Sequence, residues 1–150
     1  MGLAEIIHGV GEVAAIGIGA EGYDYGAPTQ KPVSLPWVAV MHSTSTTEAK
    51  TYSYRDSADG KLKARGKLRK HTGTGYVLLS ISSDIANEDG KAIDATQDIL
   101  DAFDDDLELF GVGADKRCDK AWAANVDRYR FEWEGTVYAG IQFEWNVIEL

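Results

Sequence analysis

The chain has 150 residues, 44% hydrophobic and 26% charged, with a formal net charge of −9 and one cysteine, Cys118. That length suits a single domain, 1–150, with a core of its own, and one cysteine excludes an internal disulfide framework. The apolar N-terminus lacks a basic region, carries Glu5 and Glu12, and has no Ser or Thr where myristoylation of Gly2 would require it. These features exclude a secretory signal, a membrane span and that lipid anchor, so a protein assembled in the cytoplasm is expected, with no membrane partner.

Residues 3–15 place Leu3, Ile6, Ile7, Val10 and Ala14 near helical spacing. They predict a helix in which Gly9 and Gly11 each cost about 1 kcal/mol against alanine. Residues 16–36 are rich in Gly and Pro and predict a long connection with a short edge strand near Tyr23 and Tyr25. Residues 35–41 form a continuous apolar run behind Pro36, predicting a central strand covered on both faces. Residues 50–55 are β-prone, 56–60 have turn chemistry, and 61–71 alternate charged with small or apolar side chains. Together they predict a basic β-hairpin projecting as an arm over roughly residues 50–75.

Residues 76–83 predict a second core strand. Ile93, Leu100, Phe103, Leu107 and Phe110 then define the apolar stripe of an acidic amphipathic helix, stopped by Gly111 and Gly113. In residues 127–150, Tyr129, Phe131 and Trp133 alternate with Arg128, Arg130, Glu132 and Glu134. After Glu134-Gly135, Ile141, Phe143, Trp145 and Val147 alternate with Gln142, Glu144 and Asn146. This predicts a hairpin with one apolar and one polar face, Gly135 supplying the positive φ of its turn. The fold class is therefore α+β: a mainly antiparallel or mixed sheet, flanked by an N-terminal helix and one long acidic helix.

Motifs of chemistry are weak. Gly17, Gly19 and Gly22 match the dinucleotide-binding string, but they lead into Tyr-Asp-Tyr-Gly-Ala-Pro, which cannot open a helix. Residues 60–67 miss the phosphate-loop spacing, and Leu68 stands where a hydroxyl is needed. His8, His42 and His71 share no metal-binding spacing, and Asp104, Asp105 and Asp106 point in different directions on a helix. Glu132 and Glu134 lie on one strand face, where Arg128 and Arg130 favour cross-strand ion pairing over an acid–base role. Cys118 has no activating partner nearby in sequence. No cofactor, metal or catalytic residue is assigned.

Charge is segregated instead. Six basic residues lie between Lys61 and Lys70, and ten acidic residues lie between Asp84 and Glu108 with only Lys91 opposing them. Such a chain either carries two solvated faces, pairs head to tail with copies of itself, or steers a charged partner. The basic run, with Tyr52 and Tyr54 across the hairpin, also suits non-specific contact with nucleic acid, although the protein as a whole is acidic.

The order of these features resembles the tail terminator, or tail-completion, proteins of long-tailed bacteriophages. Residues 35–40 match their proline-led apolar strand, 76–81 their next β segment, 93–110 their acidic helix and 138–149 their closing strand. The likeness is one of pattern along nearly the whole chain. Neck, connector and tail-tube subunits are neighbouring classes, and the arm is longer and more basic than in the simplest members.

The resemblance implies a non-enzymatic virion protein, forming a homohexameric ring that caps the tail tube and meets the head-side connector. In such a ring the arm (Lys61, Lys63, Arg65, Lys67, Arg69) is expected to meet a neighbour's acidic helix (Asp94, Asp98, Asp101, Asp104, Asp105). Otherwise the arm lies in the lumen or on the tube, where it meets DNA or an acidic rim. A cytoplasmic nucleic-acid-binding module is the alternative.

Overall fold

The computed structural model describes residues 2–49, 53–64, 67–81 and 85–149. It contains helices α1 (Leu3–Ile18) and α2 (Ile85–Asp105) and strands β1 (Asp24–Tyr25), β2 (Trp37–Ala49), β3 (Ser53–Arg55), β4 (Leu62–Ala64), β5 (Lys67–Ile81), β6 (Lys120–Trp133) and β7 (Thr136–Glu149). Five strands form a mixed sheet in the order β1-β2-β5-β7-β6, parallel only between β1 and β2, while β3 and β4 pair separately. The protein is thus α+β, as its patterning indicates.

The core lies between one sheet face and the two helices. Val38, Val40, Val77, Ile141, Phe143, Trp145 and Val147 face Ile6, Val10 and Val13 of α1 and Ala92, Ala95, Ile99 and Phe103 of α2. The rings of Phe103 and Phe143 meet at 5.9 Å. The indole N–H of Trp145 donates to the Met41 carbonyl at 3.2 Å.

β5 supplies glycine where β7 supplies its largest side chains: Gly73 is opposite Trp145 and Gly75 opposite Phe143. A Cβ on Gly73 would strike the Trp145 ring and the Met41 carbonyl, and one on Gly75 would strike the Phe143 ring. The glycines of α1 have a similar use. Gly11 lies against the Tyr23 ring, and Gly17 lets the helix approach Ala102 of α2. Their loss of helix propensity is offset by close packing.

Several sequence expectations are corrected. The second apolar strand is central as β5, but β2 lies next to the edge, because β1 covers only Ala39 and Val40. The arm is shorter than expected. Residues 67–75 are built into the main sheet between β2 and β7, leaving β3, β4 and their turn as the projection. Helix α2 begins earlier and ends at Asp105, so Leu107 and Phe110 lie beyond it. Its buried face is Ala92, Ala95, Ile99 and Phe103, with Ile93 58% exposed, because these four follow one another at three- and four-residue steps on a stripe that Ile93 does not share. Past the helix, the Asp106 carboxylate accepts from the backbone N–H groups of Phe110 and Gly111 at 2.9 and 2.8 Å, shaping the turn ahead of Gly113.

The closing hairpin does not have a single apolar face. Its two-residue turn, Glu134 (φ 47°) and Gly135 (φ 82°), sets Trp133 opposite Thr136, Phe131 opposite Tyr138 and Tyr129 opposite Gly140. Directly opposed residues share a face, so Tyr129, Phe131 and Trp133 lie on the side away from Ile141, Phe143 and Trp145. Tyr129 there packs on Tyr76 at 5.0 Å, and Phe131 stacks with Tyr138.

Replacing Gly75 with alanine is expected to destabilise the protein by about 1–3 kcal/mol through overpacking. Trp145→Ala is expected to cost about 3–5 kcal/mol. Chemical denaturation checks both, and a Gly75→Ala variant as stable as the parent would contradict the packing described.

Candidate functional site

The predicted charged residues occupy two separate surfaces. On the arm, Lys61 and Lys63 are exposed on or beside β4, and Arg69 is exposed on β5. Lys67 occupies the first position of β5, and Arg65 lies outside the described residues. Lys63 is not free for a partner: Asp56 and Asp59, in the turn of its own hairpin, both pair with it. The hydrogen bonds that Lys63 donates to Asp56 and then to Asp59 raise its pKa, and the bond from Lys63 lowers that of Asp56. The arm is therefore less basic than a count of its lysines suggests.

Asp94, Asp98, Asp101, Asp104 and Asp105 are all exposed on α2. Asp98, Asp101 and Asp105 line a shallow groove of about 340 Å³ between α1 and α2, together with Ile16 and Ala102. Asp101 accepts a hydrogen bond from Gln97 at 2.8 Å. No ion pair links these five aspartates to the basic residues of the arm among the described residues.

The beginning of α2 is neutralised differently. Arg128 pairs with Asp89 at 3.2 Å and Arg130 with Glu88 at 2.9 Å. The expected cross-strand pairing of these arginines with Glu132 and Glu134 is thereby corrected. The hairpin register sets Arg128 opposite Ile141 and Arg130 opposite Ala139, on the helix side of the sheet and within reach of the start of α2.

A closed ion pair braces the loop that joins α2 to β6. Arg117, 11% exposed, donates to Glu12 of α1 at 3.0 Å and to the carbonyls of Leu109 and Phe110. Glu12 also accepts from the backbone N–H of Val112 at 3.0 Å and contacts His8 at 2.9 Å. Burial raises the Glu12 pKa, but the Arg117 hydrogen bond, the Val112 N–H and the charges of Arg117 and His8 outweigh it and hold the carboxyl below its ordinary 4.5.

Cys118 is 5% exposed, with its thiol directed at the Leu107 carbonyl at 3.5 Å. Burial, with nearby carboxylates, pushes its pKa up to about 12. The glycine string has no phosphate-binding geometry. Gly17 is inside α1, and Gly19, at φ 79°, ends that helix instead of opening one.

Two further groupings were invisible in the sequence. Lys70 and Lys120 both lie 5.7 Å from the ring of Trp122, on the sheet face opposite the helices. His42, Ser45, His71 and Glu149, from β2, β5 and β7, form one hydrogen-bonded chain. Only register brings them together. No protein-family model matches the chain, and no curated protein matches it in sequence.

Removing Arg117 takes from the largely shielded Glu12 carboxylate its main partner and leaves it the Val112 N–H and His8, so Arg117→Ala is expected to cost about 1–3 kcal/mol. Because the folded-state pKa of Glu12 is lowered, its contribution is complete above its ordinary 4.5 and lost as pH falls through the lower native value. Unfolding titrations should show an acid-side loss of stability that Glu12→Gln reduces. Cys118 should resist a thiol reagent in the native protein and react on unfolding, and rapid native labelling would contradict its burial.

Proposed function

We propose that this chain is a structural subunit that assembles into a homohexameric ring, in the manner of phage tail terminator proteins. In this role it caps a tail tube on one side and meets the head-side connector on the other. The observation that carries the reading is the separation of charge. An acidic face on α2 and the exposed Lys61 and Arg69 at the arm and its root stand on different elements, with no ion pair between them among the described residues.

A ring needs heterologous contacts, in which one surface of each copy meets a different surface of the next. The aspartates of α2 and the exposed Lys61 and Arg69 are such a pair of surfaces. The α+β fold and the order of its elements also suit the family pattern. The role places no demand on catalysis or cofactors, and its site of action is the virion tail or neck.

A second reading, non-specific contact with DNA, is favoured by one arrangement. Lys70 and Lys120 beside Trp122 combine phosphate-neutralising charge with an aromatic ring. In a ring that surface would meet DNA in the lumen. In a free protein it would make the chain a binding module.

Light scattering across salt concentrations tests the first reading. A hexamer is expected at low salt, shifting toward smaller species as salt screens the charge contacts. Reversing Asp94, Asp98 and Asp101 to lysine should weaken the assembly, and adding Lys61→Glu and Arg69→Glu should restore part of it. An oligomer indifferent to both salt and charge reversal would overturn the charge-paired interface.

A further inference from the structure

On the helix-facing side of the sheet, His42, Ser45, His71 and Glu149 are linked in order. His42 Nε2 lies 2.8 Å from Ser45 Oγ, Ser45 Oγ lies 2.6 Å from His71 Nδ1, and His71 Nε2 lies 2.8 Å from Glu149 Oε2. A carboxylate only accepts, so His71 donates through Nε2–H and its Nδ1 is left to accept the Ser45 hydroxyl proton. The remaining donor, His42 Nε2–H, is received by Ser45 Oγ. The three contacts then have mutually consistent donors and acceptors.

The backbone builds this arrangement through a bulge. In a regular strand, residues three apart such as His42 and Ser45 face opposite ways. The pairing of β2 with β5 shifts between His42 and Thr44, so that His42 is opposite Gly73 and Ser45 opposite His71 on one face. Bulges re-aim side chains in this way, often next to active sites. Glu149 follows Val147, the partner of His71 on β7, by two residues and so shares its face. His71 is 7% exposed, whereas Ser45 is exposed. The base is shielded, and the serine it contacts belongs to an exposed residue.

We infer that Ser45, His71 and Glu149 form a nucleophile, general base and orienting carboxylate able to cleave small acyl esters. Ser45 Oγ attacks the carbonyl carbon while its proton passes to His71 Nδ1. The tetrahedral adduct then collapses, the bond from carbon to the leaving oxygen breaks, and His71 Nδ1–H protonates that oxygen. Water attacks the acyl-serine with His71 again taking the proton, the acid departs, and Ser45 Oγ recovers its hydrogen. The balance is ester plus water giving acid plus alcohol. Glu149 and His42 are positioning residues, one holding the imidazole tautomer and the other the serine oxygen. The arrangement follows the general logic of activated serines. It stands on observations independent of the ring assembly.

The test treats the full chain with a fluorophosphonate probe and follows hydrolysis of p-nitrophenyl acetate. One phosphonyl adduct on Ser45 is expected by peptide mapping. Ester turnover should fall about 10²-fold or more in Ser45→Ala, a change at an exposed position that leaves the circular dichroism spectrum unchanged. Glu149→Gln should lower kcat with little change in KM. The absence of an adduct, an adduct elsewhere, or turnover unchanged in Ser45→Ala would each overturn the proposal.

Discussion

The fold depends on two aromatic side chains lying across two glycines. Trp145 and Phe143 of β7 cover Gly73 and Gly75 of β5, and no side chain with a Cβ fits beneath either ring. A slip of one residue would turn both aromatics to the opposite face and bring them over threonines. The register of the two central strands is therefore held by shape. From it follow the contact of Phe103 with Phe143, the position of α2, and the alignment of β2 beyond the end of its apolar half.

Charge is handled in two ways within one small domain. Inside, Glu12 and Arg117 close on each other and on backbone groups, tying α1 to the loop after α2. Outside, Arg128 and Arg130 neutralise the first turns of α2, while the aspartates further along face solvent. The first arrangement supports the monomer. The second leaves an acidic surface whose attraction for cations is screened by salt beyond about 10 Å.

Much of the architecture was legible. The helical spacing near Val10, the apolar run at Val38–Val40 and the Glu134-Gly135 turn all correspond to elements of the structure. The faces of those elements were less legible. In α2 the larger side chains suggested a stripe through Ile93, yet the buried side runs through Ala92, Ala95, Ile99 and Phe103, because helical spacing and not side-chain size sets the face. In the closing hairpin, alternation was read correctly within each strand and wrongly between them, because the turn length sets which parity matches which.

The candidate sites divide in the same way. The segregation of acidic from basic residues is a property of composition along the chain and needed no structure to find. The chain from His42 to Glu149 spans β2, β5 and β7 and depends on an inserted residue, so no local spacing announces it. By itself the sequence determined the kinds of element, the α+β class and the charge pattern, all of which follow from local periodicity and propensity. Tertiary structure alone decided which faces are buried, which charges meet and which histidine touches which serine. The physical reason is that bulges and strand register set those relations, and their energies come from residues far apart in the chain.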